Sequence, residues 1–265
     1  MSRFRTLVIL AALLFAAVPA AIAQSKPGLP RLLFFANPMG SDNTVIRRPS
    51  PDVLSVAEQR FAELSQGVFE VNITQNGAEV SAAKLPQYQV VVFFTAINPS
   101  GVEVDALVDW VARGGAFVGI HSTANTYQGH AGFGELLGAR YDRRPWRTRE
   151  NPQTNVRVKV DDKTHPATRH MGDSFEISDD IYLFKNFDVS KMTLLLSLDP
   201  KSLDLTKTRP TDKDFPVAWA KPHGKGRVFY TALGDWDETW KNPAYRTHLI
   251  EGIRWSMNAK PGGGR

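Results

Sequence analysis

The 265-residue chain contains no cysteine. That absence removes disulfides, a thiol nucleophile, zinc–thiolate centres and iron–sulfur clusters together. A metal would have to be held by His, Asp or Glu. Charge of one sign is also scarce: 32 Lys and Arg face 27 Asp and Glu, a formal net charge of +5. A nucleic-acid-binding face needs a broad concentration of positive charge, and so mild an excess does not supply one. The one dense basic run is Arg143-Arg144-Pro145-Trp146-Arg147-Thr148-Arg149. It suits a solvated loop, or an anchor for an acidic group, rather than a nucleic-acid footprint. The six histidines include no i, i+4 pair of the kind that zinc proteases carry on a helix. A metal site assembled across the fold has no signature in this sequence, and no cofactor is identified. Internal repeats and a clear linker are absent too.

Long apolar runs are confined to the N-terminus. Arg3 and Arg5 precede the uncharged run Leu7 to Val18, and Ala21-Ile22-Ala23 fits the small-x-small cleavage rule with Gln24 as the first mature residue. The run is too short for a comfortable membrane span, and there is no cysteine for lipid attachment. Residues 1–23 therefore read as a secretory signal peptide, and the protein as periplasmic or secreted without a stable membrane anchor. Losing Arg3 and Arg5 lowers the formal charge from +5 to +3. Residues 24–260 form a single domain large enough for a real core, and 261–265 a disordered Pro/Gly tail.

Hydrophobic spacing then gives an order of elements. Leu32 to Phe35, Phe69 to Thr74, Val90 to Ala96 and Gly115 to Ile120 read as strands, and the last two as buried on both faces. Val53 to Gln66, starting at Ser50-Pro51-Asp52, and Gly101 to Arg113 read as helices. This order implies a mostly parallel sheet covered by helices. The second half changes character. A short helix at Phe133 to Leu137 is followed by strands at Val156 to Val160, Ser174 to Ile177 and Met192 to Leu198. A β pair joins Pro216–Lys221 to Gly226–Ala232, and a last helix covers Pro243 to Met257.

The strand Gly115 to Ile120 stops on His121. A buried parallel strand that ends on a polar side chain delivers it to the carboxyl edge of the sheet, where open α/β sheets place their ligands. Imidazole titrates near neutral pH, so His121 suits a general acid or base. Its bland role would be a hydrogen bond to a nearby backbone carbonyl. The turn Gly119-Ile120-His121-Ser122-Thr123 does not match the Gly-x-Ser-x-Gly of a nucleophile elbow. Ser122 therefore reads as a turn hydrogen-bonder or substrate contact, not an acyl-enzyme nucleophile. Asp179 and Asp180 offer paired carboxylates before Tyr182, to hold a sugar hydroxyl or a metal, to share a proton, or merely to cap a turn. Asp235 and Trp236 follow a second apolar run, and acids beside an indole face suit carbohydrate. Packing alone would also account for Trp236.

Several of these segments together carry a resemblance. They are Gly114-Gly115-x-Phe117-Val118-Gly119-Ile120-His121-Ser122, Phe133-x-Glu135-Leu136-Leu137-Gly138-Ala139 and His165-Pro166-Ala167-Thr168. Asp179-Asp180-Ile181-Tyr182, Pro216-Val217-Ala218-Trp219 and the run Gly224 to Gly234 follow in order. The chain resembles the ThuA-like family, named for trehalose utilisation, within the class I glutamine amidotransferase-like fold. The resemblance implies an α/β, flavodoxin-like three-layer sandwich with a mostly parallel central sheet and extra β strands in the second half. It puts His121 in the slot of the amidotransferase cysteine, so glutaminase activity is not expected. It also implies disaccharide catabolism, including routes through 3-keto sugars.

The chain departs from the family pattern at three places. Arg144-Pro145 stands for a usual His-Pro, Asp179-Asp180 for Asp-Glu, and Leu233-Gly234-Asp235 for Leu-Gly-His. The expected catalytic residues are His121, Asp180 and Asp235. Ser122, Arg144, Trp146, Arg147, His165, Asp179, Tyr182 and Trp236 are the expected substrate contacts. Acid/base chemistry on a small-molecule carbohydrate is the leading reading: isomerisation, elimination or hydrolysis. A noncatalytic carbohydrate-binding module on the same fold is the other, and a purely structural protein the third.

Overall fold

The structure is a computed structural model that describes residues 28–38, 44–95 and 97–257. The signal peptide and the tail read from the sequence lie outside the described residues.

The first half alternates strands and helices. Strand β1 (Arg31–Asn37) leads to helix α1 (Val56–Ser65), β2 (Glu70–Thr74) and β3 (Val90–Thr95). Helix α2 (Val104–Ala112) and β4 (Ala116–Ile120) follow. Helix α1 starts later than the Ser50-Pro51-Asp52 signal suggests. Ser55 is its N-cap and forms a capping box with Glu58, and that reciprocal pair fixes the start. Arg48 meets the buried Glu58 carboxylate at 2.8 Å. Gly114, at φ +122°, turns the chain out of α2 and into β4.

Between β4 and the last strand the chain inserts a long excursion. It comprises α3 (Ala131–Leu137), β5 (Arg140–Arg143), β6 (Thr154–Val160), β7 (Ser174–Asp179), β8 (Leu183–Lys185), β9 (Thr193–Leu198) and β10 (Pro216–His223). Strand β11 (Gly226–Thr231), α4 (Asp237–Lys241) and α5 (Pro243–Met257) close the fold. Strands β5 and β8 pair with each other outside the main sheet. Neither these two short strands nor α4 was legible in the hydrophobic pattern.

The main sheet has nine strands in the order β2-β1-β3-β4-β11-β10-β9-β6-β7. The first five are parallel, the expected central sheet in the flavodoxin-like arrangement. The remaining four extend it by antiparallel pairing. The extra strands of the second half thus add to the same sheet. Adjacent phenylalanines on β3 show the layering, since successive side chains of a strand face opposite ways. Phe93 packs against Phe133 of α3, and Phe94 stacks on Trp240 of α4. Phe34 of β1 stacks on Phe61 of α1 at 4.1 Å. Helices therefore cover both faces, and β3 and β4 are buried along their whole length, as their unbroken apolar runs require.

The topology places the site. Four antiparallel steps separate β11 from β7, so β7 runs the same way as β11 and β4. The carboxyl ends of β4, β7 and β11 consequently share one edge of the sheet. Among the described residues no helix is long and apolar enough to cross a membrane.

Candidate functional site

His121 follows β4 directly and opens a single 3-10 turn through Asn125. Its φ is +42°, an uncommon conformation for a residue with a side chain, and strain of this sort gathers at functional positions. Two other strained residues lie at the same edge. Ile97, just past β3, has φ +59° and Tyr127 has φ +48°, and the Tyr127 amide donates to the Ile97 carbonyl at 3.1 Å.

The His121 ring is almost fully buried, at 1% exposure. Its Nδ1 lies 2.6 Å from the carbonyl oxygen of Ala232. A carbonyl can only accept, so Nδ1 carries a proton and Nε2 is the nitrogen left for chemistry. The bland role foreseen for this histidine is therefore real, and it fixes which nitrogen remains for chemistry. Nε2 lies 3.3 Å from Oδ1 of Asp235 but without hydrogen-bond alignment, leaving it buried and without a hydrogen bond. Tyr182 covers the ring at a centroid distance of 4.2 Å, and Tyr141 packs edge-on against Tyr182.

Asp179 ends β7, Asp180 follows it, and both are fully buried. They divide the work of the pair. Oδ2 of Asp180 accepts from Arg144 Nη1 at 2.7 Å and from Arg147 Nη1 at 2.8 Å, while its Oδ1 is buried without a hydrogen-bond partner. Arg147 also approaches Asp235 at 3.8 Å. The basic run of the sequence is thus an anchor for an acidic group. Trp146 between the two arginines is buried, and its indole donates to the Asp204 carbonyl at 3.0 Å, which secures the loop. On the outer side Arg144, Arg147, Thr148, Arg149 and Pro152 line a cleft of 460 Å³.

Asp179 faces inward. Its oxygens accept from the amides of Asp180 (2.8 Å), Gly234 (2.8 Å) and Asp235 (3.1 Å) and from Thr239 Oγ1 (2.9 Å). Burial pushes its pKa up to about 6, against the nearby His121 and the amide donors, which favour the anion. Burial likewise raises Asp235, opposed by His121. It holds the Tyr182 phenol well above its ordinary value, so that hydroxyl stays protonated.

The structure brings His121, Ser122, Arg144, Arg147, Asp180, Tyr182 and Asp235 to one edge, with Asp179 behind them. Ser122 is buried beside His121, and its Oγ has no hydrogen-bond partner among the described residues. Trp236 is half-buried next to Asp235 with its indole nitrogen enclosed and unpartnered. His165 is elsewhere. Its ring lies 4.9 Å from Trp255, whose indole also faces Arg227 near the start of β11, the opposite edge of the sheet. Its Nδ1 accepts from the Ala167 amide in its own turn, and burial lowers its pKa. Sequence reasoning passed over Tyr230, whose hydroxyl donates to the His121 carbonyl at 2.7 Å, and Thr239. Tyr230 sits in the late β pair and reads there as core; nothing in the sequence marks it as a support for His121.

One ligand atom each from His121, Asp180 and Asp235 falls within 4.8 Å of the others, close enough to hold a single cation. The electrostatics of these groups also suit a proton. Three carboxylates (Asp179, Asp180, Asp235) face two guanidiniums, Arg144 and Arg147, so the one proton that His121 would take up neutralises them. A dication would overshoot, and it would sit close to two guanidiniums.

Known proteins resemble this chain over most of its length. A family model described as trehalose utilisation, ThuA, matches residues 45–256. A protein of Bacteroides uniformis described as ThuA-like has a similar crystal structure, with 25% identity, 91% of this chain and 95% of that chain covered, and a TM-score of 0.69. A second protein described as ThuA-like, from Parabacteroides merdae, shares the fold at 15% identity, with 90% and 93% of the chains covered and a TM-score of 0.63. A cold-adapted β-galactosidase from Rahnella sp. R3 carries the same fold in 31% of its chain, against 86% of this one, at 15% identity and a TM-score of 0.52. No curated protein matches the sequence.

Proposed function

This chain belongs to the ThuA family of trehalose utilisation, and on that premise we propose that it is an exported enzyme of carbohydrate catabolism that moves a proton on a sugar, a glycoside or a 3-keto sugar. The observation that carries the reading is His121. Its Nδ1 is committed to the Ala232 carbonyl, which leaves Nε2 as a buried basic nitrogen beside Asp235.

In this reading Nε2 takes the proton from a carbon next to a carbonyl. The C–H electron pair becomes the enolate, with the negative charge on the former carbonyl oxygen. Asp235 stabilises the imidazolium that results, and Asp180 anchors a hydroxyl through its unpartnered Oδ1. Arg144, Arg147 and the protonated Tyr182 phenol supply positive charge and a hydrogen bond for the oxyanion. Return of the proton to the same carbon gives exchange, return to the neighbouring carbon gives isomerisation, and loss of a β-substituent gives elimination. Hydrolysis would use the same parts with water.

The test is proton NMR of the mature protein with disaccharides and their 3-keto forms in D₂O, beside His121→Asn. Product or deuterium uptake that vanishes in the variant supports the reading. Turnover unchanged in the variant overturns it. A carbohydrate-binding module is the second reading, favoured by Arg144 and Asp235 standing where the family resemblance implies histidines. It would bind sugar without turnover in wild type and variant alike. Export is tested by N-terminal sequencing of the protein from the periplasm and medium, with Gln24 expected first.

A further inference from the structure

We propose that Asp179 touches no substrate and is instead the positioning residue that sets Asp235 against His121 and fixes the spacing of the two site acids. The inference rests on the proton-transfer reading for its functional meaning, since the pair it positions is the one that reading uses.

Asp180 and Asp235 come from chain segments far apart in sequence, one after β7 and the other after β11. Between these strands lie three others in the sheet. Hydrogen bonds of the sheet alone therefore do not set the distance between the acids. One atom does. Oδ1 of Asp179 accepts from the Asp180 amide at 2.8 Å and from the Asp235 amide at 3.1 Å. The backbones that carry both acids converge on a single oxygen.

The second oxygen completes the clamp. Oδ2 takes the Gly234 amide at 2.8 Å and the Thr239 hydroxyl at 2.9 Å, so successive amides of residues 234 and 235 grip both oxygens of one carboxylate. Such a pair of amides forms a small anion-holding concavity, and it needs an unusual backbone. Gly234 supplies it with φ +121°. A Cβ there would come within 2.7 Å of the Tyr245 hydroxyl oxygen. Trp240 holds the same turn from the other side, its indole donating to the Gly234 carbonyl at 2.8 Å. With four donors on its two oxygens, Asp179 has no acceptor site left for a sugar hydroxyl, whereas Oδ1 of Asp180 has one.

Losing the clamp would release the turn that carries Asp235 while leaving the imidazole pinned through Nδ1. Asp179→Asn tests this with minimal change of volume, because an amide nitrogen would point a donor at donors. Two readouts apply. The ¹⁵N resonance of His121 Nε2 reports the presence of Asp235 without any substrate, and kcat reports the chemistry. The expected result is a displaced Nε2 resonance and a kcat loss of about 100-fold with a small change in KM, the scale that a misplacement of about 1 Å can produce. An unmoved Nε2 resonance in a folded variant overturns the proposal. Should Asp179→Asn fail to fold, Thr239→Val decides: it removes one of the four bonds, and a smaller displacement of the same resonance is expected, whereas none overturns the proposal. The two inferences fail separately. A wild-type protein without exchange or turnover sinks the proton-transfer reading and leaves the NMR result standing.

Discussion

The hydroxyl of Tyr230 donates to the backbone carbonyl of His121 at 2.7 Å. Tyr230 lies on β11, the strand beside β4, so the strand that sends its chain on to Asp235 also braces the histidine. Both groups are buried, and His121 sits at φ +42°. Tyr230→Phe removes that bond and leaves the carbonyl only its partner within the 3-10 turn, and the expected loss of stability is about 1 kcal/mol. Urea unfolding measures it. Activity should fall further than stability alone explains, because a strained residue relaxes once its brace is gone. A variant with wild-type unfolding would show that the bond contributes little.

Arg144 and Arg147 share one oxygen of Asp180. Removing either guanidinium leaves the buried carboxylate a partner, and removing both leaves a buried charge with neither arginine. Arg144→Met and Arg147→Met should each cost little, and the double variant about 3–5 kcal/mol, well beyond their sum. A double-mutant cycle in urea reads the coupling. Additive losses would mean that Asp180 is held chiefly by other groups.

Asp179 gives a pH dependence with a definite sign. Its folded pKa is raised by burial, from 3.8 to about 6. A carboxyl raised on folding holds its proton more tightly in the folded state. Its contribution to stability is therefore complete below 3.8 and is lost as pH rises through about 6. Asp235 is raised too and adds in the same direction, whereas Asp237, lowered by its hydrogen bond to Arg60, adds in the opposite one. The difference in unfolding free energy between wild type and Asp179→Asn isolates the first group. It should shrink by up to about 3 kcal/mol between pH 4 and pH 6.5. A difference that grows with pH would mean that the four donors outweigh burial.

The charges around His121 suit one proton better than a dication. One equivalent of Zn²⁺ or Mn²⁺ should leave the thermal midpoint unchanged, and a chelator should leave proton exchange intact. A midpoint that rises in wild type but not in Asp235→Asn would instead assign a cation to the 4.8 Å cluster of His121, Asp180 and Asp235.

The edge on which these residues meet was legible where periodicity is simple. A short apolar run that follows a glycine pair and ends on a polar residue fits a buried strand reaching its edge, and His121 follows from that. The two aspartates were legible as a pair but not as separate roles. Neighbouring strand residues point opposite ways, so one must turn from the cleft, and two identical side chains do not say which. Trp146 and His165 mislead for a related reason. Indole and imidazole serve equally as ligand contacts and as half-polar packing, and only the partner tells them apart: the Asp204 carbonyl for one and Trp255 for the other. The sequence signal puts the start of α1 early because Ser50, Asp52 and Ser55 are all good caps, and only the return bond from Glu58 selects Ser55.

Strand β11 joins the two halves of the sheet, with β4 on one side and β10 on the other. Among the described residues it is also the last strand to be made. Until residues 226–231 leave the ribosome, β4 and β10 each present an open edge. The antiparallel half can form its hairpins alone, but it has no seam to the parallel half. The joining of the two half-sheets therefore waits for β11. A chain that stops short of β11 would hold two half-sheets with unsatisfied edges, ready substrates for chaperones and proteases, and would have lost the turn at residues 234–235 that completes the site.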